Sequence, residues 1–252
     1  MTLLSLKNPY YEFSKIDEVT DITKYTNTIS TFYVVQGKLE FEIDNKKIDL
    51  NSGEGILVSP ESKIKKINKI EKTVAFEVVS TKTKSALTEI IDKDNKLIEE
   101  NIKNFKILKN HKKVIKPWGY ELWIVWLKDY HVLKKIYMKK GFKCSLQFHE
   151  NKYETNFLLS GKAKILKNFH IDKNSSASEA KELIKNVDLL RDYSKDVDAP
   201  YNFTNIPGEV HRVFSLEDYI AYEVSTPELD DVIRIQDDTS RKSGRIISEH
   251  EK

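Results

Sequence analysis

Gly141-Phe-Lys-Cys-Ser-Leu-Gln147-Phe-His149-Glu-Asn-Lys-Tyr-Glu154-Thr-Asn-Phe-Leu-Leu-Ser-Gly161 is the stretch on which the reading of this chain turns. Taken as a strand, residues 143–149 place Lys143, Ser145, Gln147 and His149 on one face, because side chains alternate across a strand. A four-residue turn follows, and Glu154 opens the next strand facing the same point. A fourth partner comes from Ile206-Pro207-Gly208-Glu-Val-His211, where Pro-Gly makes a turn and His211 enters a strand. A single strand histidine is usually a core residue with both ring nitrogens satisfied. Two imidazoles, one carboxylate and one amide oxygen at fixed spacing are a different matter. Gln147, His149, Glu154 and His211 are expected to hold one divalent metal ion, with positions left open for a substrate. Zinc suits the set first; manganese, iron, nickel and cobalt are compatible.

Outward from this stretch, the chain repeats itself. Thr31-Phe-Tyr-Val-Val-Gln-Gly37-Lys38 reads like Thr155-Asn-Phe-Leu-Leu-Ser-Gly161-Lys162. Val74-Ala-Phe-Glu-Val78 reads like Ile220-Ala-Tyr-Glu-Val224, and between them Val58-Ser59-Pro60 matches Asn205-Ile206-Pro207. Three matches in one order indicate a duplicated β unit. The spacing is wider at the later matches, so the second copy holds an insertion of about one helix. Ser175 to Lys195 fits, since Ala177, Ala180, Leu183, Ile184, Val187 and Leu190 recur at helical spacing. Leu87, Ile90, Ile91, Leu97 and Ile98 suggest a helical connector over 83–114. The N-terminal copy, residues 1–82, contains no histidine. Ser30 stands where Glu154 stands, Ile64 where His211 stands, and Thr23 and Tyr25 fall opposite Gln147 and His149. That half is expected to hold no metal and to serve as a structural or homodimer-forming barrel, with a sugar-binding barrel as the alternative.

Composition narrows the class. The chain has 252 residues, 39% of them hydrophobic and 32% charged, enough for two domains with real cores. A net charge of +3 from 42 basic and 39 acidic side chains points to a solvated surface, not to a polyanion-binding protein, so no nucleic-acid partner is expected. The densest basic run, Lys63, Lys65 and Lys66, reads as a strand edge guarded by lysines. The single cysteine, Cys144, rules out an internal disulfide. With no signal-like N-terminus and no apolar run of membrane length, a cytoplasmic location away from membranes is expected.

The pattern Gly-x5-Gln-x-His-x4-Glu-x6-Gly, followed by Pro-Gly-x2-His, resembles the two cupin motifs, with glutamine in place of the first histidine as in mannose-6-phosphate isomerases. Lys116-Pro-Trp-Gly-Tyr-Glu121, Ser145-Leu-Gln147, His211-Arg212 and Glu223-Val-Ser-Thr-Pro-Glu-Leu-Asp230-Asp231-Val-Ile-Arg234 resemble further motifs of the type II enzymes' cupin domain. The resemblance spans roughly 115–241. It implies an all-β, mainly antiparallel fold of two cupin jelly-roll barrels with helical connectors: a degenerate cupin at 1–82, a connector at 83–114, and a metal-binding cupin at 115–252. It also implies a metal-dependent isomerase interconverting aldose and ketose sugar phosphates through an enediolate. The nucleotidyltransferase domain of type II enzymes has no counterpart here, and the ending Asp237-Asp-Thr-Ser-Arg241 lacks the family's Tyr-Gly. The competing readings are another metal-dependent cupin enzyme, a dioxygenase or lyase, and a non-catalytic sugar-binding bicupin.

An isomerase of this kind needs a proton shuttle and a cationic phosphate holder. Lys143 is the candidate phosphate or hydroxyl binder, against a snorkelling lysine at a strand start. Glu223 is a charge in an apolar strand and a candidate base, though Glu77 occupies the same place in the metal-free half and argues for a structural role. Arg234 lies in the closing motif, with an ion pair to Asp230 or Asp231 as its alternative. Arg212 should point away from its neighbour His211 into a structural ion pair. Trp118, Trp123 and Trp126 are expected to pack the core.

Overall fold

The computed structural model describes residues 5–16, 24, 25, 28–60, 62–70, 72–81, 87–91, 97–101, 104–244, 246 and 247. The chain divides into two compact units, Met1–Lys112 with Ile124–Val132, and Lys113–Trp123 with Leu133–Lys252. Both are antiparallel double-sheet jelly rolls. Among the described residues no helix is long and apolar enough to cross a membrane.

In the N-terminal unit one sheet has the order Ser5–Lys7, Tyr11–Lys15, Val74–Ser80, Ser30–Gln36, Gly55–Val58, Phe105–Leu108. The other runs Lys24–Tyr25, Lys63–Lys69, Lys38–Ile43, Lys46–Asn51. Alternation builds the core. Leu39, Phe41 and Ile43 turn inward while Lys38, Glu40 and Glu42 stay out, and the inward set meets Phe32 and Ile56 of the facing sheet. The lysine-rich strand is paired along Lys38–Ile43, and Lys65 bridges Glu42 at 3.2 Å.

The C-terminal unit repeats the plan. One sheet has the order Lys112–Lys116, Gly119–Trp126, Val132–Met138, Tyr219–Ser225, Glu154–Ser160, Tyr201–Asn205. The other runs Ser194–Asp198, Lys162–His170, Glu209–Ser215, Leu146–Phe148, Ile233–Gln236. The duplication is kept to the residue. Phe32 faces Glu77 as Asn156 faces Glu223, and both strand pairs break register at the equivalent point, Val34/Gln36 and Leu158/Ser160. The turn after each is a positive-φ glycine, Gly37 and Gly161. A Cβ on Gly161 would lie 2.1 Å from the Asp218 carbonyl oxygen, so only glycine fits there. Between Lys162–His170 and Ser194–Asp198 lie two short helices, Ala177–Leu183 and Leu189–Asp192. Ser176 and Glu179 cap the first reciprocally. Ala180 and Leu189 pack onto Leu146 and Phe148, which braces the short strand carrying Gln147.

The helical connector is corrected. Leu87–Ile91 and Leu97–Asn101 form an antiparallel hairpin, and Phe105–Leu108 pairs with Gly55–Val58. Short apolar runs fit either period, and β-branched Thr88, Ile90, Ile91 and Ile98 favour the extended one. The parts of that segment at 83–86, 92–96, 102 and 103 lie outside the described residues, as does Thr23.

The N-terminal unit also acquires histidines from downstream. His131 is fully buried there, with Nε2 2.8 Å from Thr31 Oγ1 and Nδ1 2.7 Å from Ser80 Oγ. Burial pushes its pKa down to about 3. The unfolded chain, with an ordinary histidine pKa near ~6.5, takes up the proton first. This contribution to stability is therefore complete above pH ~6.5 and is lost as pH falls towards the folded value. Between pH 7.5 and 5 it should weaken the fold by about 2 kcal/mol. Urea midpoints at the two pH values should show that extra fall in the native chain relative to His131→Asn; equal falls in both would refute it.

Candidate metal centre

The four candidate ligands come from three neighbouring strands and the loop between two of them. Gln147 and His211 are direct cross-strand partners, so their side chains rise from the same face. His149 follows the end of Leu146–Phe148, and its carbonyl accepts the Gly208 N–H at 2.8 Å, tying the Pro-Gly turn to it. Glu154 opens Glu154–Ser160 and pairs with Asn205, whose side-chain amide donates to Glu154 Oε1 at 2.8 Å.

These side chains converge. His149 Nε2 lies 3.5 Å from Glu154 Oε2, and His211 Nε2 lies 3.3 Å from Glu154 Oε1. One ligand atom from each of the three falls within 4.8 Å of the others, and all three residues are buried. The far nitrogens explain the orientation. His149 Nδ1 faces the Asp231 carbonyl, and His211 Nδ1 faces the Glu209 carbonyl at 2.9 Å. A carbonyl only accepts, so each ring carries its proton on Nδ1 and presents a bare Nε2 lone pair to Glu154. That is the arrangement of a histidine prepared to ligate metal. His149 Nε2 has no hydrogen-bond partner despite complete burial, an orphan that a cation would satisfy.

Gln147 completes the set after one adjustment. Its Nε2 is placed 3.4 Å from His211 Nε2, and its Oε1 accepts from Ser145 Oγ at 2.6 Å. Exchanging the two amide atoms, which the shape of the group allows, turns the oxygen towards the histidines while Ser145 Oγ accepts from the amide. The residues therefore fit a divalent ion.

Sequence reasoning missed Lys152. It is buried, 2.6 Å from Glu154 Oε2 and 3.0 Å from Glu223 Oε1. It belongs to a row of alternating charges: Lys116 to Glu121 at 3.7 Å, Glu121 to Lys134 at 3.4 Å, Lys134 to Glu223 at 3.7 Å, then Lys152 and Glu154. Lys116, Glu121, Lys134 and Glu223 come from four consecutive strands of the six-stranded sheet, so the row crosses its inner face. Burial favours the neutral form of an ionisable group, and a neighbouring opposite charge works against this. Burial alone would raise the Glu154 carboxyl, yet the Lys152 ammonium beside it holds it well below the usual carboxylate range. Burial also opposes charge on Glu121, and Lys116 and Lys134 outweigh it. Lys152 is raised against its burial by Glu154 and Glu223. His149 is pushed down, chiefly by burial, which keeps it neutral for ligation.

The row lines one cavity of about 120 Å³ together with Gln147, Glu154 and His211, three of the four candidate ligands. Its floor is apolar, with Trp118, Met138 and Phe203, and Trp123 donates from Nε1 to Glu121 at 2.8 Å. Trp118 and Trp123 thus form cavity wall as well as core.

The remaining candidates part company. Lys143 lies outside the cavity wall: its ammonium pairs with Asp238 at 3.1 Å. The physical reason is that the strand is only Leu146–Phe148, with Lys143 in an isolated bridge to Phe214, so alternation counted from Gln147 fails before Ser145. Glu223 does reach the cavity, engaged by Lys152 and Lys134. Arg234 reaches it too, its Nη1 donating to the carbonyls of Lys242 and Gly244. Among the described residues Arg212 has no ion pair, and it donates instead to Cys144 O and to Gln236. In the N-terminal unit, Ser30 and Ile64 are buried at the duplicated positions and offer no ligand cluster among the described residues.

Residues 103–189 match the family model for the C-terminal domain of mannose-6-phosphate isomerase. A comparison with curated sequences finds no significant match. Solved structures share the fold at low identity. AerE from Microcystis aeruginosa is 11% identical, with a TM-score of 0.58 over 88% of this chain and 90% of that one. Oxalate decarboxylase from Bacillus subtilis, a protein with Mn(II) centres, is 9% identical, with a TM-score of 0.55 over 92% and 77%. Protein Ylba from E. coli is 10% identical, with a TM-score of 0.56 over 89% and 82%. The shared feature is the fold, two antiparallel double-sheet β units.

Proposed function

We propose that the C-terminal unit holds one divalent metal ion on His149, Glu154, His211 and Gln147, and that the chain interconverts aldose and ketose sugar phosphates in the manner of mannose-6-phosphate isomerases. The observation that carries the metal is the pair of bare Nε2 atoms aimed at one buried carboxylate. The sugar-phosphate reading is supported by the family match over residues 103–189 and by a cavity that joins Gln147, Glu154 and His211 to cationic side chains.

The bound ion supplies Lewis-acid stabilisation of negative charge on substrate oxygens. The chain's own residues do the rest. Lys116, Lys134, Arg234 and Arg241 bring positive charge to the cavity wall and suit a phosphate or an ionised hydroxyl. Glu223 Oε1 stands on the same wall as the proton carrier between C1 and C2, held in place by Lys152 and Lys134. Trp118, Met138 and Phe203 exclude water from the floor.

The test is metal analysis of the purified protein followed by a phosphosugar screen in D2O read by NMR. Turnover should place deuterium at C1 or C2 of the product and should stop on chelation. Oxygen consumption would favour a dioxygenase, and carbon dioxide release a decarboxylating lyase. Saturable binding of a phosphosugar without turnover would leave a binding protein.

A further inference from the structure

We infer that Asp231 is the positioning residue of the metal centre, holding the His149–Glu154 loop in ligand-presenting form by a carboxylate clamp on three consecutive backbone N–H groups. The inference rests on the metal reading above. Glu150 N–H donates to Asp231 Oδ1 at 2.9 Å, and Asn151 and Lys152 N–H donate to Oδ2 at 2.6 and 2.8 Å. The backbone carbonyl of the same residue accepts from His149 Nδ1. One residue therefore fixes the ring that carries one candidate ligand atom and the turn that leads to the next.

The loop needs such a holder. Strand pairing stops at Phe148 and resumes at Glu154, so no sheet ladder fixes the residues between them. The segment after Tyr219–Ser225 supplies the missing partners. Thr226 N–H donates to Tyr153 O at 3.0 Å, and Thr226 Oγ1 accepts from Tyr153 N–H at 3.1 Å. Asp231 closes the other end of this stitch. Val232 N–H bonds to Asp230 O at 3.0 Å, which tightens the turn that aims the carboxylate. Bonds to an ionised acceptor are roughly twice as strong as neutral ones, and three on one carboxylate leave it little freedom. Without them the three N–H groups would turn to water. The His149 Nε2 to Glu154 Oε2 distance of 3.5 Å would then lose the clamp on the turn that joins the two residues. Lys152, whose ammonium steadies Glu154, sits on the same clamped peptide.

The experiment is Zn2+ titration against a chromogenic chelator for the native chain, Asp231→Ala and Asp231→Asn, with Co2+ absorption spectra as a report on ligand geometry. The alanine variant should bind Zn2+ about 10- to 100-fold more weakly, the range for residues that orient a ligand from outside the coordination shell. Its Co2+ bands should shift or broaden. The asparagine variant, which keeps one acceptor oxygen, should fall between. Zn2+ affinity within three-fold of native in Asp231→Ala, with an unchanged Co2+ spectrum, would overturn the inference. If the alanine variant does not fold, Asp231→Asn is judged by the same criterion. A native chain that binds neither Zn2+ nor Mn2+ would instead overturn the metal reading itself.

Discussion

His211→Ala and His149→Ala should each leave the purified chain without stoichiometric metal, whereas the native chain should carry one ion. Each histidine offers a buried, undonated Nε2 beside Glu154, and methyl groups offer nothing in its place. Loss of a direct ligand should exceed the roughly 10- to 100-fold weakening produced by residues that only orient ligands. The fold should survive, because Glu154 keeps Lys152 and Asn205 as partners when an imidazole is removed. Elemental analysis reads the metal content directly. Thermal melts with and without added Zn2+ provide a second reading, since a ligand that binds only the native state raises its melting temperature. That rise should vanish in both variants. Ser30→Ala, at the duplicated position of Glu154 in the N-terminal unit, should keep one ion per chain. Two ions per native chain, or native metal content in His211→Ala, would refute the assignment.

The candidate ligands could be named from spacing because a strand, a turn and a Pro-Gly corner fix where side chains point over short distances. The duplication was legible for the same reason, and it carried Glu77 onto Glu223 correctly across the two strand pairs. What spacing could not supply is where regular alternation stops. Lys143 was misplaced because the strand is three residues long rather than seven. Lys152 was passed over as a turn residue, although a lysine two positions before Glu154 is the pattern that puts both on one side. Glu121 carried the signal already noted for Glu223, a lone charge among apolar strand neighbours, whereas in Lys134 it is obscured by the adjacent Lys135. Their meaning appears only when four strands lie side by side. His131 was beyond reach, because nothing local assigns Ile124–Val132 to the other unit.

Lys152→Met should be among the most destabilising single substitutions in the C-terminal unit. Methionine nearly matches the volume of the lysine stem, so the change removes charge with little loss of packing. It leaves Glu154 without its closest cation and Glu223 with only Lys134, at 3.7 Å. Removing one partner from a buried ion pair costs about 3–5 kcal/mol, most of it the penalty of an uncompensated buried charge. Urea denaturation at pH 7.5 should show a loss of that order. The sign of its pH dependence separates this cause from a packing defect. An unpaired buried carboxylate has a folded pKa raised above its unfolded value, so the folded variant binds protons more readily than the unfolded chain. The deficit should therefore shrink as pH falls from 7.5 towards 5, where a cavity would cost the same at both. Lys152→Met with Glu223→Gln should recover part of the stability at pH 7.5, because one of the two stranded charges is gone. A pH-independent loss below about 1 kcal/mol would show that the row of charges does not depend on its central lysine.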